Sequence, residues 1–164
     1  MTTQERPEPT APARCFTELT ADRRGAWYGY LRTHADLTRR LDADLRARAG
    51  LGLAEYDVLV TLANGPVDGL RMGELARAVV LSPSGVTRLV ARLEREGLVE
   101  RRATNARVVR ASLTEDGRRA LVRATPVHLE GVEAGFLDHL ADDEAALLAA
   151  LWRRLGAAPP PDAR

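Results

Sequence analysis

The stretch Ser82-Pro83-Ser84-Gly85-Val86-Thr87-Arg88 groups hydroxyls, a proline, a glycine and an arginine within two helical turns. Ser82 suits an N-cap, and Pro83 suits the first helical position, where its missing N–H costs nothing. Hydroxyls of Ser82, Ser84 and Thr87 then surround a helix N-terminus, whose free N–H groups and dipole favour phosphate. Gly85 leaves that turn small enough to approach a groove. Arg88, one turn further on, has the planar fork that matches guanine O6 and N7. Arg92 and Arg95 lie farther along, where backbone phosphates rather than bases are the expected contacts. A second basic group, Arg102, Asn105 and Arg107, falls near the turn of a β-hairpin, from which an arginine can enter a neighbouring minor groove.

The charge distribution fits this chemistry. The net charge is only +1, yet residues 71–110 carry nine arginines against four glutamates, a local +5, so the remainder sums to −4. A basic module on an acidic body is the electrostatic footprint of a nucleic-acid binder. All basic residues are arginine, so an ordinary solvated helix face would read the same way on charge alone.

Positioning these side chains requires a helical frame. Apolar residues recur at Trp27, Tyr30, Leu31, Leu37, Leu41 and Leu45, with His34 as a spacer, and predict one long amphipathic helix over 22–49 stopped by Gly50 and Gly52. A second helix, 54–63, should bury Tyr56, Leu59, Val60 and Ala63 and end at Asn64-Gly65-Pro66. Residues 66–69 form a turn, and a short third helix covers 72–79. The fourth, 83–96, buries Val86, Leu89, Val90 and Leu93, leaves the polar residues above outward and stops at Gly97. Residues 98–102 and 108–113 make a hairpin around a turn at 103–106. Thr114 caps a fifth helix, with Glu115 and Asp116 in its first turn, running to about 140 through Pro126; a sixth covers 142–155.

The expected fold is therefore mainly α with a small β-hairpin wing. A winged helix-turn-helix over 51–114 joins helical dimerisation segments at 21–50 and 115–156, with a disordered arm at 1–20 and tail at 157–164. The first and last helices carry more apolar surface, including Trp27, Tyr30, Leu151 and Trp152, than so small a domain needs internally. A twofold dimer would set two recognition helices about one DNA turn apart on a palindromic double-stranded operator.

The runs Met72-Gly73-Glu74-Leu75-Ala76 and Leu81 through Val99, with the exit Leu113-Thr114-Glu115-Asp116-Gly117, resemble the MarR (multiple antibiotic resistance regulator) family over about residues 25–155. That resemblance implies a triangular homodimer with first, fifth and sixth helices interleaved, an inverted-repeat operator, and often repression released by a small ligand. The family's ligand cleft would draw on Trp27, Tyr30, His34 and Tyr56, with Arg71 as an anion partner for an aromatic or anionic effector. The same residues read at least as well as interface and core. Two departures stand out. The wing looks about two residues shorter than usual, and the common Asp-Arg-Arg reads Asn105-Ala106-Arg107, which leaves the wing contact to Arg107.

Other functions are poorly supported. A winged helix that binds protein instead of DNA would not need the outward Arg88. No nucleophile elbow, phosphate loop or carboxylate pair suggests an enzyme, and no cofactor is expected. Peroxide-sensing relatives place a cysteine where Tyr28 stands here; the single cysteine, Cys15, precedes that helix. His34, His128 and His139 are too scattered for a metal site. With no secretory segment or membrane span, a cytoplasmic location is expected.

Overall fold

A computed structural model of the chain describes residues 18–79, 82–105 and 108–156. Among the described residues six α-helices and three strands follow in order: α1 (Ala21–Ala49), α2 (Leu53–Ala63), β1 (Leu70–Arg71), α3 (Met72–Ala78), α4 (Pro83–Arg95), β2 (Val99–Asn105), β3 (Val108–Leu113), α5 (Glu115–Gly135) and α6 (Asp142–Arg154). The described residues fall into two compact units divided after Asp36, within α1. The arm expected over 1–20 lies outside the described residues up to position 17, and the tail at 157–164 lies wholly outside them.

The second unit holds the core. Leu45 of α1, Val58 and Leu59 of α2, Leu75 of α3, Val86, Val90 and Leu93 of α4, and Val99 of β2 are all buried. Each such aliphatic side chain contributes about 1.5–3 kcal/mol relative to exposure. Leu89 is only partly buried, so the stripe that fixes α4 is Val86, Val90 and Leu93.

Burial on α2 differs from the expected single stripe. Tyr56 and Leu59 are buried, but Val60 is partly covered and Ala63 exposed, while Glu55, Val58 and Leu62 are buried instead. The cause is that α2 packs against α3, α4, α5 and β3 and so is enclosed on several sides. A helix in that position has no one apolar face to read.

The hairpin is both longer and wider than its sequence pattern suggests. β2 pairs antiparallel with β3 from Val99↔Leu113 to Asn105↔Val108, with an irregularity between Ala103 and Asn105 that absorbs an extra residue. The ladder thus occupies positions expected to form the turn. β1 adds a third strand, Leu70↔Ala111 and Arg71↔Arg110, giving the order β1-β3-β2. Gly69 makes that approach possible: its φ is +83°, and a Cβ there would stand 2.3 Å from the Ala111 carbonyl oxygen.

At its N-terminus α5 starts as expected, Thr114 Oγ1 accepting from the Gly117 N–H at 3.0 Å. The helix runs through Pro126 but stops at Gly135, short of the expected residue 140. Phe136 leaves helical geometry at φ −147°, and a tight 3₁₀ turn, Leu137–His139, follows. Helical spacing of Phe136, Leu137 and Leu140 disguised that stop. Among the described residues no helix is long and apolar enough to cross a membrane.

Candidate nucleic-acid interface

The start of α4 is built as its sequence dictates. Ser82 Oγ accepts from the Gly85 N–H at 3.1 Å and lies 3.3 Å from Ser84 Oγ, with Pro83 in the first turn. Ser82, Ser84, Thr87 and Arg88 are exposed and Gly85 is half-buried. One side of the helix is sealed by Val86, Val90 and Leu93, so these polar groups share the side left to solvent. Arg88 has no ion-pair partner among the described residues.

Other arginines of the basic module are held. The Arg92 guanidinium meets the carboxylate of Glu55, whose side chain is only 7% exposed. Arg95 Nε donates to the Ala91 carbonyl at 3.3 Å. Arg101 Nε donates to Glu94 at 2.7 Å, and that bond holds the Glu94 carboxyl below its ordinary range. Arg102 Nη2 donates to Glu100 at 3.1 Å while its side chain stays largely exposed. Arg110 ties the wing to the preceding turn, donating to the Gly69 carbonyl at 2.7 Å and facing Asp68 at 3.3 Å.

Asn105 is the last residue of β2, paired with Val108. Arg107, on which the expected wing contact rests, lies outside the described residues.

The candidate effector residues divide into separate settings. In the first unit Trp27, Tyr30 and His34 follow one another along one side of α1, with ring centroids 6.2 Å and 6.0 Å apart. Tyr56 belongs to the core and stacks on His128 at 4.5 Å. Burial pushes the His128 imidazole below its ordinary pKa, and its Nδ1 has no hydrogen-bond partner among the described residues. Arg71 is exposed at the start of α3, where it lines a groove of about 420 Å³ with Arg77, Val108 and Val109.

Sequence reasoning did not single out Glu55, and weighed His128 only as a metal ligand. Glu55 had one legible signal: a glutamate three residues after the N-cap position, Gly52, suits a return bond to the cap N–H. That bond is present, from Gly52 N to Glu55 Oε2 at 2.5 Å.

A short helix, a capped helix with a small polar leading turn, and a three-stranded wing together define a winged helix-turn-helix. A model of the MarR family matches residues 49–107. A helix-turn-helix-type transcriptional regulator of Bacillus cereus, itself uncharacterised, is 31% identical over 118 residues, 72% of this chain and 78% of that protein. Sco3205, a MarR family transcriptional regulator from Streptomyces coelicolor solved in complex with DNA, superposes with a TM-score of 0.78 at 33% identity, covering 88% of this chain and 96% of its own. AbsC, a MarR family regulator from the same organism, gives 0.77 at 31% identity, covering 84% and 94%. The chain belongs to the MarR family of transcriptional regulators.

Proposed function

We propose that the chain is a homodimeric, sequence-specific DNA-binding regulator that reads an inverted-repeat operator and acts as a repressor released by a small effector. The observation that carries the DNA-binding reading is the small polar leading turn of α4: Ser82, Ser84, Gly85 and Thr87 at a capped N-terminus, followed by an exposed Arg88 that has no ion-pair partner among the described residues. Its roles divide by chemistry. The hydroxyls and free N–H groups take phosphate, Arg88 reads a guanine, and Arg95 with the wing residues Arg102, Asn105 and Arg107 adds backbone or minor-groove contacts.

Dimerisation is supported by uncovered apolar surface. On α1 Trp27, Tyr30 and Leu31 are 40–46% exposed, and on α6 Leu147 is 72% exposed. Such surface on a regulator of this size is expected to be buried by a second copy. The segments 21–50 and 115–156 are assigned to that interface and 51–114 to DNA. The aromatic side of α1, with Trp27, Tyr30 and His34, is the part best suited to an aromatic or anionic effector.

The test is a gel shift with the DNA flanking the gene, repeated with small aromatic acids. The expected result is a saturable shift, competed by specific but not scrambled duplex and reversed by an effector. Absence of any specific shift refutes DNA reading; a shift that no acid reverses refutes an aromatic-acid effector.

A further inference from the structure

Among the described residues the core holds one charged group, Glu55, at 5% exposure. A buried carboxylate is tolerated only when both oxygens are engaged. Oε2 accepts from the Gly52 N–H at 2.5 Å, which fixes the start of α2, and Oε1 faces Arg92 of α4.

The Gly52 segment is itself fastened to α1. Asp42 Oδ1 accepts from the Leu53 N–H at 2.8 Å, and Arg46 Nε donates to Asp42 Oδ2 at 2.8 Å. Both bonds hold the Asp42 carboxyl below its ordinary range, the Arg46 bond having the larger effect. Arg46 lies so close over the loop that a Cβ on Gly52 would stand 2.5 Å from Nη2. A continuous polar chain therefore links the C-terminal part of α1, the start of α2 and the middle of α4.

Arg92 stands four residues after Arg88, on the same side of the helix. Apolar burial of Val86, Val90 and Leu93 holds α4 against the core but is non-directional, whereas the ion pair with one buried carboxylate ties a single position of α4 to a single point on α2. Resting on the DNA-binding reading above, we infer that Glu55 and Arg92 are a positioning pair: they fix the rotation of α4 about its axis and so aim Arg88, and Arg92 acts through Arg88 instead of touching a phosphate.

The experiment uses the full chain with Arg92→Gln, Glu55→Gln and the double variant. The probes are a duplex that the wild type enriches from a random-sequence pool and a scrambled duplex, each titrated over a range of salt. Glu55→Gln keeps an oxygen for the Gly52 N–H while removing the partner charge. Each single variant is expected to lose about tenfold on the selected duplex, and the double variant no more than either. Affinity for the scrambled duplex and the slope of log K against log salt should not change.

The Glu55 variant is the sharper arm. Removing a negative charge from a DNA-binding lobe strengthens binding if only long-range electrostatics acts, so a loss can arise only through positioning. Circular dichroism checks that it folds, and if it does not, Arg92→Gln carries the test, because that side chain is 43% exposed. A slope reduced by about 0.9 in Arg92→Gln, with equal weakening on both duplexes, places Arg92 on a phosphate and overturns the inference. Unchanged or tighter binding by folded Glu55→Gln overturns it too. A wild type that enriches no sequence refutes DNA reading itself, whereas a wild type that binds beside variants of either overturning kind refutes positioning alone.

Discussion

Replacing Arg88 with alanine removes an exposed side chain that has no ion-pair partner among the described residues, between two buried anchors, Val86 and Val90. Fold stability should therefore move by no more than about 0.5 kcal/mol. The loss should appear in DNA reading. A bidentate arginine–guanine contact is worth about 1–3 kcal/mol, and a twofold dimer makes it twice, so roughly 2–6 kcal/mol of discrimination is at stake. That corresponds to about thirtyfold to twenty-thousandfold in the affinity ratio between selected and scrambled duplexes. Fluorescence anisotropy on both duplexes over a salt series measures it. Arg88→Lys separates fork from charge: it keeps the positive charge, so its scrambled affinity should hold, but lacks the planar pair of donors, so most discrimination should go. If Arg88→Ala weakens both duplexes equally and lowers the salt slope by about 0.9 per contact, Arg88 is on the backbone and guanine reading is wrong.

The other predictions concern what holds the site. Ser82→Ala strips the cap from the Gly85 N–H and should cost about 1 kcal/mol, seen as a lower urea midpoint with unchanged slope. Gly69→Ala forces a Cβ within 2.3 Å of the Ala111 carbonyl at a positive φ, so it should destabilise by more than about 1 kcal/mol and separate β1 from β3; a thermal midpoint equal to wild type contradicts that. His128 has its folded pKa depressed below the ordinary 6.5 by burial, so between those two values the unfolded chain binds more protons. Its stability contribution is whole above about pH 6.5 and falls as pH drops towards the folded value. His128→Phe, which keeps a ring against Tyr56, should flatten that part of the urea-midpoint profile, and an unaltered profile assigns the acid loss to other groups.

Features set by neighbours in sequence were legible, and features set by distant partners were not. The α4 start could be read because Ser82, Pro83 and the Val86/Val90/Leu93 spacing all act within one helix. The Thr114 cap was legible for the same reason. β1 is two residues long and exists only because Gly69 lets the chain reach β3, so it has no period to detect. Burial on α2 depends on four elements that surround it, and Glu55 is buried because Arg92, far along the chain, is there to receive it. The α5 terminus was misplaced because apolar spacing persisted through a segment whose backbone had already left the helix.

The same distinction changes how the basic module should be counted. Nine arginines between residues 71 and 110 suggest a broad field, yet Arg92, Arg101, Arg102 and Arg110 each face a carboxylate. The wing pairs are exposed enough that each adds at most about 1 kcal/mol to stability, so their effect lies in orienting β2 and β3 more than in holding them. Glu94 joins α4 to β2 through Arg101, and Glu55 joins α4 to α2 through Arg92, so carboxylates fasten α4 on two sides. Charge that would otherwise spread along the module is spent on geometry, and Arg88 is left exposed on the turn before those fastenings. A lobe built this way should show a salt dependence set by the arginines that face no carboxylate among the described residues, and a specificity set by how firmly the paired ones hold α4.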